Sequence, residues 1–533
     1  MFWNATSSSG SRRRRKASRL PNWRLPSLSD SNRTSWQPEF IYEGGAFQSD
    51  YALVCDDAGK LSGVAPASET ENPIILKDRA LLPGLVNAHS HAFQRVIRGR
   101  TEYRTAYNKD SFWTWREMMY SAATRLTPED VYDASRMAFL EMALSGITSV
   151  GEFHYLHHGP AGVPYDDPNL LAKEVVRAAR DVGLRIALLR VAYARSGFET
   201  ERNPQQARFI EKDPETYLKH VEQLIAHLGR GSSPTPGPPT GQPGWGGTVR
   251  EGSPKNSAEP RRALPDGRVS ALPLAWAGVA PHSVRAVPLD YLKRIIEFAN
   301  EKELPTHMHV AEQPAEVSAC IAEHRRSPVA LLETEGLLSE RFTGVHMIHV
   351  TPKAIAMLAR ARAMVCACPT TERNLGDGVV PVDEYFKHGV RVALGTDSHV
   401  EIDLLEDARE LEYHLRLQKI ERAVLASAED NGLSAIAARL FASATISGAE
   451  SIGAPVGTLA PGRPADFFTV DLNDPSIAGA SEADLLAGIV FSLSKTALRD
   501  VVVGGKRIVE DGQHTEQEEI VERFKALQKK LWG

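Results

Sequence analysis

Short apolar runs alternate with longer amphipathic stretches through most of the chain. The runs "LLPGLVNAHSH", "GITSVGEFHY", "LRIALLRVAY", "LAWAGVAPHS", "LPTHMHVAEQ", "GVHMIHVT", "AMVCACPTT" and "VRVALGTDSH" have the length and continuous hydrophobicity of strands buried on both faces. Stretches such as "PEDVYDASRMAFLEMALS" and "PLDYLKRIIEFANEKE" repeat apolar residues at helical spacing between them. Eight strand–helix units in series predict a (β/α)8 barrel. Outside it, "FQSDYALVCDDAGKLSGV" near one end, and "GTLAPGRPADFFTVDLN" with "LRDVVVGGKRIVEDG" near the other, read as strands of a small β-sandwich built from both chain ends.

Two segments break the pattern. The first residues, "MFWNATSSSGSRRRRKASRLPNWRLPSLSD", are rich in Ser and Arg and lack an acidic residue before Asp30. That composition fits a disordered tail, a mitochondrial transit peptide or a nuclear import patch, and lacks the apolar core of a secretory signal. The stretch from Gly229 to Arg268 is dominated by Pro, Gly and Ser and predicts a disordered insertion in one connection. The expected organisation is a basic tail over 1–37, a composite sandwich from 38–80 and 452–515, a barrel over 81–451 interrupted at 229–268, and a C-terminal helix over 516–533.

Charge and cysteine content narrow the function classes. A net charge of −5 supplies no basic field for nucleic acid or anionic membrane. No apolar run approaches the roughly 20 residues of a membrane span. The four cysteines, Cys55, Cys320, Cys366 and Cys368, give no disulfide framework and suit a reducing compartment, so the cytoplasm is expected unless the tail directs import. The C-x-C pair at 366 and 368 reads as small core residues.

The polar residues at the strand ends carry the chemistry. In an extended chain residues i and i+2 share a face, so His89 and His91 present two imidazoles to one point. The fifth strand ends in His309 followed by Glu312, the sixth in His349 and the eighth in Asp397. Barrel enzymes gather their sites at the C-terminal ends of strands, and three imidazoles with a carboxylate there read as a catalytic zinc site. His307 shares a face with His309, which is favoured as the nearer to the strand end. Asp397 is favoured over His399 because a carboxylate serves both as ligand and as proton acceptor.

These positions resemble the amidohydrolase superfamily over the whole chain except the tail and insertion. More narrowly, "NAHSHAFQR", "DSFWTWREMMY", "GEFHYLHH", "APHSVRAV", "HMHVAEQ" and "CPTTERNLGDG" resemble, in this order, the formimidoylglutamate deiminases of histidine degradation. The resemblance implies one zinc ion held by His89, His91, His309 and Asp397, with His349 and Asp397 taking the water proton and Glu312 protonating the leaving nitrogen. It implies that Arg116 and Arg285 bind the two carboxylates of N-formimino-L-glutamate, helped by Tyr155 and His282, and that Gln94 contacts the formimino group. Trp113 and Trp115 are expected to pack around Arg116, and His157 and His158 to be loop residues. A homodimer is expected. The rivals are a sister aminohydrolase acting on a purine or other heterocycle, which needs no paired arginines, and a non-catalytic scaffold of the same fold, which needs no metal ligands.

Overall fold

The computed structural model describes residues 33–102, 112–198, 203–229, 273–426 and 432–533. The expected basic tail up to residue 32, the expected insertion beyond Gly229 and the side chain of Trp113 lie outside the described residues. The chain opens with β1 (Arg33–Glu43), β2 (Ala46–Gln48), β3 (Tyr51–Asp56), β4 (Leu61–Pro66) and β5 (Ile74–Pro83). The barrel strands follow: β6 (Leu85–Ser90), β7 (Ile147–His154), β8 (Arg185–Ala192), β9 (Ala275–Pro281), β10 (Thr306–Val310), β11 (Phe342–His346), β12 (Met364–Ala367) and β13 (Val392–Leu394). The last strands are β14 (Phe467–Asp471), β15 (Leu498–Val503), β16 (Lys506–Glu510) and β17 (Gln513–His514).

Strands β6 to β13 pair in sequence order as one parallel eight-stranded sheet, the barrel that the strand–helix alternation predicts. Every residue of β7, β8 and β10 is buried, which is why these segments are apolar on both faces instead of alternating. The sheet nearly closes through a single bridge between Ser90 and Asp397. Around that bridge His91 N donates to Asp397 O at 3.1 Å and Asp397 N donates to His89 O at 3.0 Å. Gly395 allows the approach: a Cβ there would sit 2.7 Å from the Cβ of His89. Barrel closure and the meeting of the sequence's first and last candidate ligands are therefore one event. Cys366 and Cys368 pack with Ala88, Val345 and Ala393 in a small buried cluster, as the core reading of the C-x-C pair expects.

Both chain ends build a second, nine-stranded mixed sheet, in which β5 lies between β1 and β14. The sheet curls so that β4 returns to the segment before β14, where Leu61 N donates to Arg463 O at 2.7 Å. Trp36, Ile41, Leu53, Leu81 and Phe467 fill the space it encloses. A buried pair ties this unit to the barrel: Arg185 at the start of β8 donates through Nε to Asp466 Oδ2 at 2.6 Å. The C-terminal helix, Gln517–Trp532, braces the turn that follows the H-x-H pair, since Gln528 Nε2 donates to Val96 O at 3.0 Å and Trp532 Nε1 to the same carbonyl at 3.2 Å. Among the described residues no helix is long and apolar enough to cross a membrane.

Candidate active site

The ends of β6, β10 and β13 bring His89, His91, His309 and Asp397 together, with their ligand atoms all within 4.8 Å of one another. His89 Nε2 lies 3.2 Å from His91 Nε2 and 3.1 Å from His309 Nε2, and His91 Nε2 lies 3.1 Å from Asp397 Oδ1. Such packing of imidazole nitrogens makes sense around a shared cation. Burial pushes His89 down to about 3 and His309 well below its ordinary value, so their rings are neutral and carry lone pairs. His91 has its ring fixed from behind: Nδ1 donates to Phe153 O at 2.9 Å, which leaves Nε2 facing the cluster. Three imidazole nitrogens and one carboxylate are the donor set of a catalytic zinc site. The residues therefore fit a metal ion.

The two ambiguous pairs separate cleanly. His307 turns away from the cluster and donates to Ser451 O at 2.8 Å, whereas His309 faces it. His399 is fully buried behind Asp397, within 3.1 Å of Ser90 Oγ and 3.0 Å of Thr396 Oγ1. The backbone at this mouth is strained, because Ala311, His346, Met347, Asp397 and His399 all have positive φ.

The sixth-strand histidine differs from expectation. Strand β11 ends at His346, not His349, because φ turns to 71° at His346 and 54° at Met347 and the extended run stops there. His346 Nε2 lies 3.8 Å from Asp397 Oδ2 and 3.7 Å from Glu312 Oε1. Its Nδ1 lies 3.2 Å from Glu372 Oε1, which also accepts from Cys368 N at 2.9 Å. His349 instead donates through Nε2 to the Asp377 carbonyl at 2.9 Å. Burial, with the nearby Asp397 charge adding to it, raises the Glu312 carboxyl above its ordinary value even though His346 opposes the shift. Glu316 behind it accepts from Ala311 N and Glu312 N and is pushed up to about 7 by burial.

A cavity opens onto this cluster. Its lining includes His91, His309, Asp397, Glu312 and His346 together with Gln94, Arg116, Tyr155, His282 and Arg285. Gln94 donates through Nε2 to Tyr155 Oη at 2.7 Å, and its buried Oε1 has no hydrogen-bond partner among the described residues. His282 is kept well below its ordinary value by burial and by Arg285, so its ring is neutral. The Arg116 guanidinium, from the helix Phe112–Arg125, lies 5.6 Å from the Tyr120 ring centroid. Trp115, Met119, Tyr120, Tyr193, Phe209 and Leu375 complete the wall.

A model of the amidohydrolase family matches residues 80–508. The chain belongs to the amidohydrolase family. Over 484 residues this amidohydrolase is 34% identical to a formimidoylglutamate deiminase of Pseudomonas aeruginosa, with 90% of this chain and 95% of that protein covered. It is also 26% identical over 482 residues to a 5-methylthioadenosine/S-adenosylhomocysteine deaminase of Syntrophomonas wolfei, covering 89% and 91% of the two chains. The crystal structure of an amidohydrolase from Brucella melitensis superposes with a TM-score of 0.80 at 29% identity, covering 94% of this chain and all of that one. An adenosine deaminase from Xanthomonas campestris with bound zinc has a TM-score of 0.72 at 20% identity, covering 93% and 98%, a likeness of fold.

Several residues of this amidohydrolase's site carry no local signal in the sequence. Glu372 reaches His346 from the helix Pro369–Leu375, whose first-turn position suggests only a capping role. Gln206 donates to both Tyr120 Oη at 2.6 Å and Tyr193 Oη at 2.9 Å. Glu152 and His399 lie behind the ligands, both in contact with Ser90 Oγ. His157 and His158, expected as loop residues, follow β7 and donate to the carbonyls of Val191 and Ile210.

Proposed function

We propose that the protein is a zinc-dependent deiminase that hydrolyses N-formimino-L-glutamate to N-formyl-L-glutamate and ammonia. The observation that carries this reading is the pair of guanidinium groups, Arg116 and Arg285, in the wall of the cavity that also receives the metal-binding cluster. A neutral heterocycle gives two cations nothing to pair with, whereas a dicarboxylate pairs with both, and guanidinium binds carboxylate in a bidentate fork. The 34% identical relative of that name supports the same substrate.

When bound, a single zinc ion at His89, His91, His309 and Asp397 supplies Lewis-acid activation of water at neutral pH. The chain's own residues perform the rest. Arg116 and Arg285 hold the glutamate carboxylates, with Tyr155 and His282 alongside, and so orient the formimino group towards the cluster. Gln94 accepts a hydrogen bond from the formimino N–H through its buried Oε1, which has no hydrogen-bond partner among the described residues. Asp397 accepts the proton lost as the water oxygen bonds to the formimino carbon, and His346, held protonated by Glu312, Glu372 and Asp397, steadies the carboxylate beside it. Glu312, whose carboxyl burial raises above its ordinary value, donates to the terminal nitrogen, and the C–N bond breaks to release ammonia.

Ammonia release from N-formimino-L-glutamate, formimino-glycine and 5-methylthioadenosine tests the assignment. The dicarboxylate substrate is expected to be turned over with a kcat/KM at least about 100-fold above either alternative. Preference for 5-methylthioadenosine would instead make the aromatic wall a purine slot.

A further inference from the structure

Glu152 near the end of β7 points away from the cavity, towards the back of the ligand-bearing segments. Its Oε1 accepts from Ala92 N at 2.8 Å and its Oε2 accepts from Ser90 Oγ at 2.5 Å, so it grips the residues on either side of His91. Ser90 Oγ continues to His399 Nε2 at 3.1 Å, and His399 Nδ1 to Thr396 Oγ1 at 3.0 Å. Thr396 Oγ1 accepts from Asn87 Nδ2 at 2.7 Å. All five side chains are essentially excluded from solvent.

The direction of this chain follows from its anchors. Thr396 N donates to Asn87 Oδ1 at 3.1 Å, and because a backbone N–H can only donate, Asn87 Oδ1 is the acceptor and Nδ2 the donor. Thr396 therefore receives from Asn87 and spends its own proton on His399 Nδ1. His399 is then the neutral tautomer protonated at Nε2, which donates to Ser90, and Ser90 donates to Glu152. Run the other way, the Thr396 proton would find no acceptor and would be buried unsatisfied. One orientation satisfies every group.

We infer that Glu152, acting through Ser90 and His399, is the positioning residue that holds the β6 and β13 ligands of the metal site in register before the ion arrives. The chain links the three places from which His89, His91 and Asp397 project, and it crosses the seam between β6 and β13, which a single bridge joins in place of a ladder. Glu152 touches no substrate and no ligand atom. Its effect is on how closely the ligand geometry is preset, a quantity that appears in metal affinity.

The inference rests on the zinc reading, and the experiment separates the two. Zinc affinity of the metal-free full-length protein is measured by competition with a chromophoric chelator, beside the thermal melting of each metal-free form. Wild-type protein is expected to compete for zinc. Ser90→Ala cuts the chain, and Glu152→Gln sets an amide donor against either the Ser90 hydroxyl or Ala92 N, where both need an acceptor. Both are expected to weaken zinc binding about 10- to 100-fold, whereas Ser90→Thr, which keeps the hydroxyl, is expected to stay within about threefold of wild type. If Glu152→Gln does not fold, Ser90→Ala decides. Wild-type zinc affinity in Ser90→Ala would overturn the inference and leave the zinc site intact. A loss of melting temperature with unchanged affinity would equally overturn it, making the chain a brace for the fold. Failure of the wild-type protein to bind zinc at all would overturn the zinc reading and this inference together.

Discussion

Glu312 and His346 face each other at the base of the cavity, with the carboxylate Oε1 3.7 Å from the imidazole Nε2 and Asp397 within 3.8 Å of the same nitrogen. Two carboxyl groups and an imidazole thus stand around one small volume next to the metal-binding cluster. That arrangement lets one group receive what the water loses while another supplies what the leaving nitrogen needs.

Glu312→Gln keeps the shape of the side chain and removes its acidic proton. General acid catalysis contributes roughly 10² to 10⁴ in rate, so kcat for formiminoglutamate is expected to fall by about that factor while zinc content and KM change little. An unchanged kcat would assign nitrogen protonation to another group. Loss of zinc would make Glu312 part of the metal site.

The two histidines of "HMIH" give a sharper contrast. His346→Asn removes the imidazole beside Asp397 and Glu312, and kcat is expected to fall at least about 100-fold. His349→Asn removes a ring that donates to the Asp377 carbonyl, and its effect is expected to stay within about tenfold. Steady-state kinetics of both variants checks this. The reverse order of effects would return the role to His349.

For Arg285, substitution by Met removes the charge and keeps much of the bulk. Loss of a desolvated carboxylate partner is expected to lower kcat/KM by about 2 to 5 kcal/mol, with zinc content and melting temperature little changed. Full efficiency in this variant would remove the main support for a dicarboxylate substrate.

Behind the cavity, Arg190 donates through Nη1 to Glu211 Oε2 at 2.5 Å and through Nη2 to Oε1 at 3.0 Å, and Nε donates to Asn169 Oδ1 at 2.9 Å. Burial alone would raise the Glu211 carboxyl, but Arg190, with His157 and His220, outweighs it and holds the group well below its ordinary 4.5. A depressed carboxyl contributes stability that is present above 4.5 and is lost as pH falls through the lower, folded value. Arg190→Met strips that buried carboxylate of its guanidinium partner, leaving His220 Nδ1 at 2.6 Å, and is expected to cost roughly 3 to 5 kcal/mol at neutral pH. The gap from wild type is expected to narrow on acidification. Urea unfolding at neutral pH and below 4.5 measures both, and a gap that widened in acid would contradict the ion-pair account.

Much of this fold was legible in the chain because burial on both faces leaves long apolar runs. Segments such as "LRIALLRV" admit no alternation and so mark the strands of a covered parallel barrel. The H-x-H pair was legible for the same reason, since two polar residues at i and i+2 stand out at the end of such a run. His346 was not, because the choice between it and His349 depends on where the backbone turns to positive φ, which no local residue pattern announces. Glu152, Glu372 and Gln206 were invisible because their contacts join residues far apart in sequence, as Ser90 and Glu152 are. Arg116 sits on a helix instead of a strand end, and only resemblance singled it out.

The position of β5 between β1 and β14 has a consequence for how the protein is made. On the ribosome β5 emerges with β1 already available, but its other edge, at Arg79–Pro83, pairs with Phe467–Asp471. At synthesis rates of about 5 to 20 residues per second, the nearly 400 intervening residues keep that edge waiting roughly 20 to 80 s. The waiting strand carries Leu81 and Leu82, both completely buried once folded. Throughout that interval it is an open apolar template, and it is there that chaperone capture or pairing with a foreign strand competes with completion of the native sheet.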